Sequence, residues 1–251
     1  MSQHGKNYKN ARAAYDREEL YSPAQAIRLL KEFETAKFDE SVEAHFNLGL
    51  NVRHAEQQLR GTLMLPHGTG REARVAVFAE GDKAKEAQDA GADIVGTADL
   101  GKQIEDGFDD FDVAIATPDQ MGVVGKLGRI LGPRGKMPNP KTGTVTMDVG
   151  KAVREAKAGK LEYRTDRGAN VHVTIGKKSF DERQLAENYM TLIDEILRAK
   201  PAAAKGRYIR SVTLTSTMGP GIRVDPGRTK GIIEEISAEA EISREEAGAT
   251  T

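Results

Sequence analysis

The densest cluster of chemistry-bearing side chains in this 251-residue sequence is GKLGRILGPRGKMPNPKTG, residues 125–143. It sets Lys126, Arg129, Arg134, Lys136 and Lys141 among five glycines and three prolines, with no acidic side chain. Cations beside glycine-exposed backbone amides suit phosphate oxygens, so the stretch reads as a phosphate loop, a nucleic-acid grip or a basic turn. A catalytic phosphate loop needs G-x-x-x-x-G-K-[ST], whose amides wrap the phosphates and whose hydroxyl meets magnesium. Gly125-Lys126 has Gln120 where that pattern has glycine and Leu127 where it has a hydroxyl, and Gly135-Lys136 has Ile130 and Met137 there. Gly68-Thr69-Gly70 with Ala73 approximates a dinucleotide fingerprint, but the strand-like VAVFA follows it where a helix N-terminus is required. No nucleotide cofactor is expected, and a nucleotide-binding enzyme stands only as the alternative reading.

Other reactive groups are scattered. His4, His45, His54, His67 and His172 show no H-x-H or H-E-x-x-H spacing, and no carboxylate pair stands out, so neither a metal site nor acid–base catalysis is expected. The run EDGFDDFD at 105–112 lacks the spacing of a calcium loop and reads as a solvated turn. Two quieter stretches are more suggestive. TAKFDESVEAH places Lys37 and Phe38 just before a strand, and TSTMGPG ends a strand in hydroxyls, Met218 and glycines. Small hydroxyls and a lone aromatic can meet sugar, phosphate and base; equally, Phe38 can be core and TMGPG an ordinary loop.

Composition narrows the setting. There is no cysteine, which removes disulfides, thiol nucleophiles and cysteine-ligated zinc. The polar N-terminus has no apolar signal core and no run reaches about 18 apolar residues, so a cytoplasmic protein without a membrane span is expected. The formal net charge of -1 hides segregation. Residues 81–120 carry 3 basic and 11 acidic side chains, 121–160 carry 9 and 2, and 161–229 carry 12 and 8. Screening over roughly 8 Å lets such local patches act independently of the whole.

The elements that must position these groups follow from periodicity. SPAQAIRLLKEF (22–33) predicts a helix opened by Ser22 and Pro23. SVEAHFNLGL alternates Val42, Ala44, Phe46, Leu48 and Leu50 on one side, and GTLMLP predicts a second strand. From Arg74, strands VAVFA, DIVG and FDVAIAT alternate with helices GDKAKEAQDAG, ADLGKQIEDG and one from Pro118, followed by TVTMD and DVGKAVREAKAG. That is a parallel βαβ pattern, a Rossmann-like layer. LEYRTD, ANVHVTIG and GRYIRSVTLTSTMGPG then predict strands, and DERQLAENYMTLIDEILRA a long amphipathic helix. The expected fold class is α/β: an α+β first domain from 1–68 and 160–229, with a Rossmann-like three-layer α/β domain inserted at 69–159. Residues 230–251 read as a flexible acidic tail.

LGRILGPRGKMPNPKTGTV, with TAKFDESVE, RGTLMLPHG, LEYRTDRGANVHVTIG and TSTMGPG in that order, resembles the bacterial ribosomal protein L-one family over about residues 4–225. The resemblance implies the same discontinuous fold and a non-enzymatic role: binding large-subunit rRNA at the mobile stalk, aiding release of exit-site tRNA, and repressing its own operon mRNA. It implies no cofactor and a monomer within the ribosome. Matched to the family's rRNA module are Lys37, Phe38, Glu43, Asp166, Ser211, Thr213, Thr217, Met218 and Gly219. Arg53, Arg164, Arg167 and Arg210 are implied as supporting phosphate contacts, and Lys126, Arg129, Arg134 and Lys136 as facing tRNA or distal stalk RNA. Carboxylates in such a set accept hydrogen bonds from 2′-hydroxyls or base amines rather than binding phosphate.

Overall fold

A computed structural model describes residues 5–228 together with 232, 235 and 236. The expected acidic tail, 230–251, otherwise lies outside the described residues; Ile232 and Ile236 are buried. The helices are α1 (Lys6–Ala13), α2 (Pro23–Glu32), α3 (Asp82–Asp89), α4 (Ala98–Glu105), α5 (Met121–Val124), α6 (Gly128–Leu131), α7 (Val149–Lys157) and α8 (Glu182–Arg198). The strands are β1 (Ser41–Leu48), β2 (Arg60–Met64), β3 (Val75–Phe78), β4 (Ile94–Gly96), β5 (Val113–Ala116), β6 (Lys160–Arg164), β7 (Asn170–Lys177), β8 (Ile209–Ser216) and β9 (Ile222–Val224). None of the described helices is long and apolar enough to cross a membrane. Contacts divide the chain into one unit of Met1–Leu59, Leu65–Gly70 and Tyr163–Thr251, and a second of Arg60–Met64 and Arg71–Glu162.

The first unit is an antiparallel sheet in the order β7-β1-β8-β9, with α2 and α8 on one face. Helix α2 starts where a capping box closes: the Gln25 amide donates to Ser22 Oγ (3.2 Å) and the Ser22 amide to Gln25 Oε1 (3.1 Å). Its Ala26, Ile27 and Leu30 meet the sheet, and Phe33 ends it in extended backbone. On α8, Leu185, Tyr189, Leu192, Ile193 and Ile196 recur at helical spacing and are fully buried. The Tyr189 ring stacks on Phe46 of β1, with centroids 6.3 Å apart. Along β1, Val42, Ala44, Phe46 and Leu48 point into this core and the alternate residues point away from it.

The second unit holds a parallel three-stranded sheet in the order β4-β3-β5, buried on both faces. Alternation along β3 divides its core in two. Ala76 and Phe78 join Leu100 and Ile104 of α4 and Leu127 and Leu131 of the basic stretch. Val75 and Val77 join Ala87 of α3 and Val149, Val153 and Ala156 of α7. This is a three-layer α/β unit. The helix expected from Pro118 is broken into 3-10 and α-helical turns over 118–131, where Gly122, Gly125 and Gly128 interrupt it. TVTMD contributes only a single bridge, Val145 beside Ala116. Strand β2 pairs with β6 in a separate two-stranded ladder; residues 60–64 and 160–162 group with the second unit, Tyr163 and Arg164 with the first.

Candidate nucleic-acid interface

The face of the first sheet opposite α2 and α8 carries the candidate site. The alternation that buries Val42, Ala44 and Phe46 sends Glu43, His45 and Asn47 outward, and register fixes their neighbours. Glu43 lies across from Thr174 and Thr215, His45 from His172 and Thr213, and Asn47 from Asn170 and Ser211. Three polar rows result, the middle one continuing to Arg223 across from Thr213.

Hydrogen bonds organise this face. His45 Nδ1 and His172 Nδ1 are 2.9 Å apart, with the rings edge to face. Asn47 donates to Asn170 Oδ1 (2.7 Å), and Asn170 Nδ2 donates to Asp166 Oδ2 (3.0 Å). Asp166 Oδ1 also accepts from the amides of Asn170 (2.7 Å) and Gly168 (2.8 Å). The Asn170 amide above all, outweighing partial burial, holds the Asp166 carboxyl below the usual aspartate value. An ionised acceptor is thus fixed at one end of the rows.

At the other end, two loops are tied together through Glu40. This carboxylate is 1% exposed; it accepts from the Met218 amide (2.9 Å) and from the Thr35 hydroxyl, with the Lys178 charge nearby. Burial pushes its pKa up, but these two hydrogen bonds and the Lys178 charge outweigh it and bring it below the ordinary 4.5. Thr217 closes the junction: its Oγ1 accepts from the Ser41 amide (3.0 Å) and its amide donates to the Ser41 carbonyl (3.1 Å). A Cβ at Gly219 would stand 2.3 Å from Ser216 Oγ, so only glycine fits there. With the backbone held, Phe38 and Met218 remain 57% and 56% exposed. Phe38 is therefore not core.

The implied rRNA residues accordingly fall along one strip. Lys37, Phe38, Thr217, Met218 and Gly219 lie at the Ser41 end of β1, Glu43 and Thr213 along the rows, and Ser211 and Asp166 at the Asn47 end. An eight-residue strand makes the strip roughly 24 Å long. Beyond Asp166, Arg53, Arg164 and Arg167 line one open cavity of about 740 Å³ with Val52, Gln58 and Thr165. Those arginines and Lys37 form no ion pair with another described residue and are exposed. Arg210 has no place in the paired rows: it is the extra residue where the β1–β8 register shifts between Asn47 and Leu48, and it is exposed next to Ser211. Sequence reasoning did not single out Glu40, Asn47, Asn170, Thr174, Thr215 or Arg223, and gave the two histidines no role beyond a strand face or surface. The usable signal was period-two polarity in SVEAHFNL, NVHVTIG and SVTLTS, although only the register shows that the polar positions align.

In the second unit the basic loop does two different things. The Lys136 ammonium is half-buried, donating to Asp109 Oδ1 (2.7 Å) and to the carbonyls of Asp109 (3.2 Å) and Phe111 (2.5 Å), and it lies over the Phe111 ring. Arg134 pairs with the same Asp109 carboxylate at 3.1 Å. Hydrogen bonding from Lys136 chiefly holds Asp109 below the usual aspartate value. The acidic run read as a solvated turn is thus partly a counter-charge for this loop. Lys126 and Arg129 are exposed and form no ion pair with another described residue, so they keep their charge for an external anion.

A sequence model described as the Ribosomal protein L1p/L10e family matches residues 30–220, a span that includes every implied site residue. The chain belongs to the ribosomal protein L1p/L10e family. A Thermobifida fusca relative is 60% identical over 225 residues, covering 90% of this chain and 96% of its own. One from Rubrobacter xylanophilus is 61% identical (88% and 97% covered), and one from Salinispora tropica 59% identical (92% and 98% covered). All three are named Large ribosomal subunit protein uL1. The family is one of ribosomal proteins rather than enzymes, in agreement with the two failed phosphate-loop patterns.

Proposed function

We propose that this chain is a cytoplasmic protein of the large ribosomal subunit that grips structured rRNA of the mobile stalk with the polar strip of its first unit. Membership of the family and the large-subunit names of its relatives support the assignment. The observation that carries the placement of the site is Phe38 and Met218, exposed on loops tied together through Glu40, at the end of a sheet face lined by ordered acceptors and hydroxyls. Apolar side chains stack on or pack against bases and riboses, Glu43 and Asp166 accept from 2′-hydroxyls or base amines, and the cavity arginines meet phosphates.

The finer roles extend this reading. The second unit, through Lys126 and Arg129 with Arg134 and Lys136 behind them, faces exit-site tRNA or distal stalk RNA and assists tRNA release. A copy of the rRNA shape in the chain's own operon mRNA would occupy the same strip and repress translation. The division is of an rRNA-binding first domain and a mobile inserted one.

Binding of a stalk-rRNA fragment against a scrambled control at fixed salt tests the assignment. A strong preference for the stalk fragment is expected. Phe38→Ala or Met218→Ala should each weaken it about tenfold, the usual cost of one lost stacking contact. Equal affinity for both RNAs, falling steeply with salt, would leave only a nonspecific cation patch.

A further inference from the structure

The middle row of the strip holds a group that the rRNA reading does not use. His45 Nδ1 and His172 Nδ1 lie within hydrogen-bond distance, so one nitrogen carries a proton and the other a lone pair. The outer nitrogens each face a carboxylate: His45 Nε2 is 3.6 Å from Glu43 Oε2, and His172 Nε2 is 3.6 Å from Asp166 Oδ2. Two neutral rings carry two protons for these three positions. One proton sits between the rings, one faces a carboxylate, and the other carboxylate meets a bare lone pair. A third proton completes the chain, giving Glu43···H–Nε2, Nδ1–H···Nδ1 and Nε2–H···Asp166 with a single positive charge shared between two carboxylates. A fourth would put protons on both facing nitrogens and break the pair.

We propose that the His45–His172 pair is part of the RNA contact surface and that RNA binding there takes up one proton. This rests on the rRNA reading above. The surroundings set the direction. Burial first, then His172, hold His45 below the usual histidine value, while Glu43 pulls the other way. The charged groups facing the pair are Glu43 from β1 and Asp166 from the turn before β7; β8 contributes the neutral Thr213, and Arg223 of β9 stands one strand further out, near Glu18. Free protein therefore holds the pair short of its third proton near neutrality. A phosphate chain laid along the strip adds negative potential and raises the pair's proton affinity, so binding strengthens as pH falls. Both rings stay reachable: their side chains are 27% and 55% exposed. Asp166, with its lowered pKa, stays ionised throughout this range.

The test is stalk-rRNA fragment binding between about pH 8 and pH 5.5, with proton uptake read by calorimetry in two buffers of different ionisation enthalpy. Wild-type affinity should rise about fivefold across the range, with uptake approaching one proton per complex at the acid end. His172→Gln keeps hydrogen-bonding capacity without titrating; it should lose most of the gain and of the uptake while melting like wild type. His45→Gln should do the same. Should the glutamine variants take up as many protons as wild type, the proposal is overturned. A scrambled RNA at pH 8 separates the two layers. No preference there refutes the rRNA reading, whereas a preserved preference with unchanged proton uptake refutes only the histidine linkage.

Discussion

Replacing Glu40 by glutamine should weaken rRNA binding although the side chain is buried and cannot reach RNA. Glu40 is 1% exposed and accepts from the Thr35 hydroxyl and the Met218 amide, with Lys178 as its nearest opposite charge. Hydrogen bonds to a charged acceptor contribute about 1.5–3 kcal/mol each, neutral ones about 0.5–1.5. Glutamine can keep both partners, its oxygen on the Met218 amide and its nitrogen on a rotated Thr35 hydroxyl. Losing the charge on two such bonds then costs about 2 kcal/mol. The sign with pH follows from the lowered pKa of the folded state. The contribution is full above the ordinary 4.5 and fades as pH falls through the lower folded value, so the gap between wild type and variant should close in acid. Denaturant midpoints at neutral and acidic pH measure that gap. Because the Met218 amide is anchored by this carboxylate, the loop presenting Met218 should loosen, with faster amide exchange there and an affinity loss of about threefold or more. A gap that stays constant with pH, or unchanged exchange at Met218, would refute the anchoring role.

Two further outcomes separate folding from recognition. Arg134→Ala with Lys136→Ala should lower the thermal midpoint by about 4 °C, since Lys136 holds three oxygens and covers Phe111, yet leave stalk-fragment affinity nearly intact while impairing tRNA handling on ribosomes. Loss of fragment affinity in that double variant would overturn the division of labour between the units. Asn188→Leu should destabilise the first unit by about 3 kcal/mol in chemical denaturation. This fully buried amide donates to the carbonyls of Gly68 (3.0 Å) and Ile175 (2.7 Å) and accepts from the His67 amide (3.1 Å), all of which would be left unpaired.

Periodicity made most of the scaffold legible. The alternation in SVEAHFNL foretold which face of β1 is buried, and Ser22-Pro23 marked the start of α2. Helix α1 escaped because Gly5 offers no side-chain cap and only Ala11 is buried; β9 escaped because three residues are too few for alternation to register. The grouping of β2 was missed for a different reason. Its sequence predicts a strand but not which strand it joins or which unit it groups with; it pairs with β6 and groups with the second unit. At the site, residue chemistry pointed to Phe38 and Met218 and the resemblance supplied Asp166, whereas the rows that link them depend on cross-strand register. The role of Glu40 was illegible because a buried carboxylate is recognised by its partners, and these lie 5, 138 and 178 residues away in Thr35, Lys178 and Met218.

The position of β1 at the middle of its sheet bears on how the chain is made. Both neighbours come from the far end of the sequence: Ser41 meets Lys177, 136 residues later, and Val42 meets Ser216. At about 5–20 residues per second, a ribosome emits β1 roughly 7–27 s before its first partner strand appears. The intervening parallel sheet β4-β3-β5 needs only strands from residues 75–116 and can close during that wait. Completion of the binding strip is therefore among the last events of synthesis. A truncated chain released before β8 lacks Ser211, Thr213 and Met218 and so cannot present the complete strip.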